Sequence, residues 1–564
     1  MTGRQATGRL ESVMLMNADL RRSWLWPCVF AIILFSIPLL LFRWYPSSVW
    51  VSTEYEMEGI ADALNMAYRL ADHRLYFARG MSEHPGVPFY LMSWLALALA
   101  GYPVASGPGY FNAVIEHAEV FHQISVWLAA LVGAIGVLVF TRVARNLVPI
   151  GVVAIGLLIW LVSTPASLLM LVSPSIESFA ILINALFFAI LVRLAYDRDL
   201  SSRVAILCGC VSAFAYLIKL SYIYVLGGLA VAGFASAALR RAGWIRARQL
   251  SLLFAFGYLL VLVATAVFIT GWDGFLILVR FHLRVIFRSG MYGTGDQIVF
   301  SKDEIWRALA AIPVDRAYAI LIALVGGPCL VIGGFLTGRK GPEHVPVAVI
   351  GIGTGVASVL SALFVLKHYG FHYTAGVSAT LPASATAGYL LARSWGWDYR
   401  IRTAAAALAA IAILLMANQI RGSLIPALAG RINTNESAKA DLQEIRAQLA
   451  GKKLAVEFGY GAPFPQSGEG LVITYGSVQR LTDDYLLSRP DVIGSMASGL
   501  VDRDAGAYVI AKAYFPTMES IKAAPNLSMF GRKPVRFKDG DKVIELRTAF
   551  LLIPSDGPEN SNTE

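Results

Sequence analysis

Two groups of titratable side chains between residues 52 and 88 have the types and spacing of a site that handles protons. Read as a helix at about 100° per residue, residues 52–72 place Glu54, Glu58, Asp62 and Asp72 on one face. Met57, Ile60, Ala61, Leu64, Ala67 and Tyr68 form an adjoining apolar face. Like charges four residues apart destabilise a helix by a few tenths of a kcal/mol, so helix propensity does not explain the acidic stripe. Thr53 and Glu56 have capping-box spacing, which gives Glu56 a structural task and leaves Glu54 without one. The plain alternative is a solvated face with its acids near a positive helix end. Farther on, Glu83 and His84 stand just before the helix-starting prolines Pro85 and Pro88, ahead of the apolar run 89–100 and Gly101. A carboxylate and an imidazole are common general bases for a hydroxyl proton.

More ionisable residues lie at the ends of apolar runs. Glu177 opens the run 179–194, Lys219 closes the run from 204, and Lys367, His368 and His372 follow the run ending at 366. A charge deep in a bilayer costs a few kcal/mol, so such residues pair with one another or line a wet cavity. Snorkelling is the plain alternative for Lys219, but a short carboxylate such as Glu177 reaches far less easily. Arg280, Arg284 and Arg288 recur every four residues and make a basic stripe on one helix face. Arginine grips phosphate in bidentate fashion, although ordinary contact with anionic headgroups gives the same pattern.

The elements that must position these residues are membrane helices. Of the 564 residues, 57% are hydrophobic and 15% charged, and the mean hydropathy is +0.61, which excludes a soluble globular protein. The formal net charge of +10 sits in short loops beside apolar runs, as the positive-inside rule expects, and does not suggest nucleic-acid binding. Apolar runs at 27–42, 124–140, 148–162, 179–194, 204–217, 222–239, 250–270, 318–336, 345–366, 375–391 and 404–416 give about eleven spans. The run 89–100 is too short to cross and reads as an interfacial or re-entrant helix, which places Arg142 and Arg145 on the same side as the other basic loops. With Arg4, Arg9, Arg21 and Arg22 ahead of the first span and no cleavage site after it, the N-terminus is expected to be cytoplasmic. Cys28, Cys208, Cys210 and Cys329 all lie in apolar runs, so neither a disulfide framework nor a zinc site is expected.

The expected organisation is a polytopic α-helical membrane module over residues 1–421, including a first external loop at 44–122 and a second at 271–315. A soluble extracytoplasmic α/β domain at 422–553 and a disordered tail at 554–564 follow. In the α/β part, residues 437–450 read as an amphipathic helix, and 453–458, 471–475, 508–511 and 543–552 as strands.

An acidic loop helix, a Glu-His-Pro element with an interfacial helix, and a span ending in arginines together resemble the GT-C glycosyltransferases, notably the protein O-mannosyltransferase and lipid A aminoarabinose transferase group. In that group an Asp-Glu pair precedes an Ile-Ala-Arg helix, and here Thr53-Glu54 precedes Ile60-Ala61-Asp62. His84-Pro85-Gly86 resembles the group's Lys-Pro-Pro or His-Pro-Pro element, and Glu83 an acid found before it. Glu177 and Lys219 are similar to an acid starting the fourth span and a lysine ending the fifth. His372-Tyr373 with Leu381-Pro382 is similar to a late Tyr-Leu-Pro element.

The resemblance implies transfer of a sugar from a polyprenyl-phosphate-linked donor to an acceptor, either an envelope glycolipid such as lipopolysaccharide or a protein. The reaction would run on the outer face of the inner (plasma) membrane, with the C-terminal domain periplasmic. Phosphate leaves readily, so the enzyme must chiefly deprotonate the acceptor and stabilise phosphate charge. Glu54, with Glu83 or His84, is then the candidate base, and Lys219, Arg280, Arg284 and Lys367 the phosphate binders. Glu58, Glu177, His368, His372 and Tyr373 line the pocket. No metal is required, although Glu54, Glu83, His84 and Glu177 have donor types that suit a divalent cation, manganese or magnesium. A polysaccharide polymerase or ligase and a lipid-linked-sugar transporter are the alternative readings. The latter would show matched, broken inverted repeats, and none is found.

Overall fold

The computed structural model describes residues 24–44, 63–64, 66–67, 71, 86–105, 109–169, 174–288, 301–397, 414, 417–449, 454–456, 493–495, 507–512, 515–525, 527 and 536–555. Among these, six helices are long and apolar enough to cross a membrane, and the apolar segments 25–40, 150–162 and 202–218 are shorter. In order the bundle comprises α1 (Leu25–Trp44), α2 (Val87–Leu99), α3 (Gly109–Glu116), α4 (Ala118–Ala144), α5 (Ile150–Val162) and α6 (Pro165–Leu169). It continues with α7 (Ala180–Tyr196), α8 (Ser202–Ile218), α9 (Tyr224–Leu239), α10 (Trp244–Thr265), α11 (Gly271–Phe287) and α12 (Lys302–Asp315). The last members are α13 (Ala319–Gly338), α14 (Val345–Lys367), α15 (Thr374–Ser378) and α16 (Leu381–Ser394). The expected span at 404–416 lies almost wholly outside the described residues.

Basic residues at helix ends contact neighbouring helices. The Arg142 guanidinium lies 4.8 Å from the centre of the Trp24 ring, so α1 begins where α4 finishes. Arg240 donates to the Ala195 carbonyl at 2.6 Å, and Lys340 donates to Ser394 O at 3.1 Å. These contacts pair the end of α4 with the start of α1, the end of α9 with that of α7, and the end of α13 with that of α16. The helix α2 is short for a span. At 13 residues it is about 20 Å long, shorter than a hydrocarbon core of roughly 30 Å. Its early residues Phe89, Tyr90 and Met92 pack into the main core of the bundle, while Ala96 and Leu97 join a second core.

Close helix contact is obtained with glycine, because lipid tails leave van der Waals packing as a main attraction between membrane helices. A Cβ on Gly209 would lie 2.0 Å from Phe254 O, and one on Gly257 2.2 Å from Ile206 O, so α8 and α10 meet backbone to backbone. The break between α15 and α16 is sealed by side-chain hydroxyls instead. Ser378 donates to the Ala375 carbonyl at 2.9 Å and Thr380 to the Val377 carbonyl at 2.7 Å, while Ser378 also shares a hydrogen bond with Ser167 at 2.6 Å. Such partners are what irregular backbone needs away from water.

Past the helix α17 (Ile425–Leu449), β1 (Leu454–Val456), β2 (Ile493–Ser495), β3 (Tyr508–Ala511), β4 (Lys542–Glu545) and β5 (Ala549–Ile553) form one sheet in the order β2-β1-β3-β5-β4. The first three strands are parallel, while β5 runs antiparallel to β3 and β4. The segment 543–552, which reads as one strand in sequence, is a hairpin. Asp441 accepts hydrogen bonds from the backbone of Arg547 and Thr548 and from the Thr548 hydroxyl, and so fixes the turn. The expected strand at 471–475 lies wholly outside the described residues.

Both faces of β5 are covered, which explains its near-continuous apolar sequence. Ala549 and Leu551 pack on Ile445 and Leu449 of α17. Phe550 and Leu552 join Ala63, Leu64 and Ala67 of the first loop, Leu97 of α2, and Val114 and Phe121. The described residues 63, 64 and 67, the helices α2 and α3 and the C-terminal sheet thus share one core.

Candidate functional site: an ionic cleft at helix turns

The site is made by interruptions in helices. A capping arrangement at Ser175 and Ser178 starts a 3-10 turn, Ile176–Phe179, ahead of α7, and this turn carries Glu177. Helix α8 stops at Ile218. Lys219 is extended (φ −160°, ψ 140°), and a second 3-10 turn, Leu220–Ile223, leads into α9. After α14, His368 leaves helical geometry, and a third turn, Phe371–Tyr373, precedes α15. Three helical connections, ahead of α7, α9 and α15, therefore present their polar residues to one space.

Lys219 donates a hydrogen bond to Glu177 Oε1. The carboxylate side chain is 1% exposed and the lysine 13%, so this is a nearly buried ion pair with its cation nearer to water. Lys219 Nζ also lies 3.7 Å above the centre of the Tyr373 ring, a cation-π contact. His372 packs edge-on against the same ring at 4.0 Å, and the His368 ring lies 5.6 Å away. Burial pushes the His368 imidazole below its ordinary value of 6.5, with Lys219 and Lys367 acting in the same direction and Glu304 of α12 opposing them.

A cleft of about 650 Å³, counting the solvent-facing space at its mouth, opens beside this cluster. Its polar lining includes Lys219, Ser221, Lys367 and His368, and its apolar wall includes Phe281 and Val285 of α11 and Phe364 of α14. Lys367 donates to the carbonyl of Ile286 in the last turn of α11. A cation there satisfies an otherwise open helix end. The arrangement suits a ligand with an anionic head and an apolar body, since ammonium groups and an aliphatic wall face the same volume.

Of the residues singled out in sequence, Glu177, Lys219, Lys367, His368, His372 and Tyr373 are brought together. Arg280 and Arg284 are not in the cleft. Both are exposed, and α11 turns Phe281 and Val285 inward, so the basic stripe faces outward. Glu54, Glu58, Glu83 and His84 lie outside the described residues. The nearest described position is Gly86, where a Cβ would meet the Ile176 side chain at 3.2 Å. The chain thus enters α2 beside the turn that carries Glu177.

Three features are not evident in the sequence. Glu304 approaches Lys367 and His368 from α12. Tyr369 donates to Asp315 at 2.7 Å, linking that turn to the end of α12. The phenol of Tyr222 is buried close to Glu177. Neither Tyr222 OH nor Glu177 Oε2 has a hydrogen-bond partner among the described residues. The spacing of Lys219 and Tyr222, one 3-10 turn apart, is the only sequence signal for that phenol. No group of three His, Cys, Asp or Glu residues suited to a metal occurs among the described residues.

The fold and cleft define a polytopic helical membrane protein with a lysine-lined, half-apolar site at one end. No protein-family model matches the chain, and no curated protein matches it. Among solved structures, it is similar to the crystal structure of ArnT from Cupriavidus metallidurans bound to undecaprenyl phosphate. The identity is 15% and the TM-score 0.47, over 93% of this chain and 97% of that one. It is likewise similar to the same protein in the apo state, at 15% identity and a TM-score of 0.46, over 92% and 97%. ArnT is a lipid A aminoarabinose transferase of the GT-C type, the group that the sequence motifs resemble.

Proposed function

We propose that this chain is a glycosyltransferase that moves a sugar from a polyprenyl-phosphate-linked donor to an acceptor hydroxyl on the outer face of the membrane. The observation that carries the reading is the cleft in which Lys219, Lys367 and His368 face an aliphatic wall from α11 and α14. A lipid phosphate needs both surfaces at once, whereas a soluble phosphate needs only the first. Undecaprenyl phosphate bound to the similar ArnT is a ligand of this chemistry. In this reading Lys219 and Lys367 stabilise the departing phosphate and the isoprenoid chain runs along Phe281 and Val285. The phosphate is a good leaving group, so the protein's remaining task is to remove the acceptor proton. Glu54, Glu83 and His84 are the proposed bases, and Gly86, two residues past His84, lies beside Ile176 of the turn that carries Glu177. Arg280 and Arg284, on the outward face of α11, are proposed to meet donor or lipid phosphates at the membrane surface.

The sheet that follows α17 covers the first loop and is proposed to be an extracytoplasmic α/β domain over residues 422–553, with the basic end of the bundle in the cytoplasm. The acceptor class is an envelope glycolipid, lipopolysaccharide or protein hydroxyl. A divalent cation is an optional addition at the first-loop acids.

The test is transfer from a radiolabelled polyprenyl-phosphate sugar by purified protein in detergent, alongside mass analysis of envelope glycolipids from cells with and without it. Loss of transfer in Glu54→Gln or Glu83→Gln, with folding unchanged, supports the reading. Full activity in both variants removes the proposed base. Uptake of labelled lipid-linked sugar across a vesicle membrane without transfer would make the chain a transporter instead.

A further inference from the structure

We infer that the basic end of the bundle, opposite the ionic cleft, holds an anionic phospholipid with an acyl chain in a cavity between α7, α8, α9 and α10 and its headgroup on the surrounding arginines. The cavity measures about 770 Å³ including its open mouth and the solvent-facing space before it. Its walls are apolar, among them Leu194, Leu229, Phe254 and Leu250. The polar groups at its rim are already engaged. Ser201 donates its N–H to Asp197 Oδ2 at 2.6 Å, which leaves a lining better matched to hydrocarbon than to a sugar or nucleotide.

The mouth opens along α9. A Cβ at Gly233 would meet nothing within 4 Å, and its neighbour Phe234 is 59% exposed. In a membrane helix those positions face lipid, so an acyl chain enters sideways without passing through water.

The rim is built in an unusual way. Leu200, which lines the cavity, has φ +49°, a left-handed conformation uncommon for a branched aliphatic residue. Arg246 donates to its carbonyl and Asp197 accepts from the next residue, and together they hold the turn. The loops at 197–203 and 240–248 contain six arginines and two aspartates. Arg198, Arg203, Arg241 and Arg248 are exposed. Arg198, Arg203 and Arg248 stand within two residues of lining positions Asp197, Ser201 and Ala247. This surplus of positive charge around an apolar mouth selects a lipid with an anionic headgroup over a zwitterionic one. The argument is independent of what the opposite cleft binds.

The experiment is native mass spectrometry of the full chain released from nanodiscs of equal parts phosphatidylglycerol and phosphatidylcholine. Wild type is expected to retain phosphatidylglycerol in preference, by roughly fivefold for each arginine that contacts the headgroup, the factor one basic residue contributes at an anionic surface. Gly233→Trp, which fills the mouth where there is room for a side chain, is expected to lower retention of both lipids. The double variant Arg203→Gln/Arg248→Gln leaves the cavity intact and is expected to remove the preference while keeping bound lipid. Equal retention of the two lipids by wild type overturns the inference, as does undiminished phosphatidylglycerol on Gly233→Trp. Displacement of the phospholipid from this cavity by polyprenyl phosphate, abolished by Gly233→Trp, would also overturn it.

Discussion

Removing the positive partner of the Glu177–Lys219 pair should destabilise the protein more than removing the negative one. At hydrogen-bond separation, with the effective dielectric of about 20 that suits protein sites, the attraction is on the order of 5 kcal/mol, most of it offset by desolvation. Breaking a buried pair from one side leaves the other charge uncompensated, at a cost of about 3–5 kcal/mol. The structure makes that cost unequal. In Lys219→Met the remaining carboxylate is 1% exposed and, among the described residues, keeps only the neighbouring His372 imidazole as a source of positive charge beside it. In Glu177→Gln the remaining ammonium is 13% exposed and still rests on the Tyr373 ring, a contact worth about 1–2 kcal/mol when desolvated. Lys219→Met is therefore expected to lose about 3–5 kcal/mol and Glu177→Gln about 1–3 kcal/mol. The double variant should recover most of the larger loss, giving a coupling energy of at least about 1–2 kcal/mol. The assay is reversible unfolding of the four proteins in mixed micelles by titration with denaturing detergent. Two small losses that simply add would refute a buried, mutually compensating pair.

Tyr373→Leu, which removes the ring beneath Lys219, is expected to weaken binding of polyprenyl phosphate by roughly tenfold, and Tyr373→Phe to leave it nearly unchanged; equilibrium binding of a labelled lipid distinguishes them. His368 titrates below 6.5 when folded, so between that lower value and 6.5 the unfolded chain binds more protons. Its contribution to stability is present above pH 6.5 and is lost as pH falls through that window; unfolding measured against pH should show a shallower acid loss in His368→Gln. Gly257→Val should prevent α8 and α10 from meeting, since even a Cβ would lie 2.2 Å from Ile206 O, whereas Gly151→Ala meets open space and should be silent; thermal unfolding in detergent reports both. Asp441→Ala removes three hydrogen bonds from the β4–β5 turn and should loosen that hairpin by about 2–4 kcal/mol, seen as faster amide exchange in β5 with the membrane helices unaffected.

Much of the membrane architecture was legible because the bilayer imposes one-dimensional rules. The run at 89–100 reads as a short apolar helix, and α2 has 13 residues, Val87–Leu99. Glu177, Lys219, Lys367, His368, His372 and Tyr373 were also readable, since an ionisable residue at the end of an apolar run stands out by its solvation cost. What escaped depended on partners distant in sequence. Nothing near Tyr369 announces Asp315, and nothing near Glu304 announces Lys367. The stripe of Arg280, Arg284 and Arg288 gave the periodicity of α11 correctly, but periodicity does not say which face a neighbour will cover. Segment 543–552 looked like one strand because both sides of β5 are buried, while its turn is held by Asp441, about a hundred residues earlier in the chain.

The central claim is that the cleft between Lys219, Lys367, His368 and the α11 wall receives a lipid phosphate. Its most direct test compares binding of a polyprenyl phosphate with that of the matching polyprenol to purified protein. Wild type should prefer the phosphate by about tenfold to a hundredfold, the range of a charge-assisted hydrogen bond, and Lys367→Met should lose most of that preference while still binding the alcohol. Equal binding of phosphate and alcohol by wild type, or a preference that survives Lys367→Met intact, would contradict it.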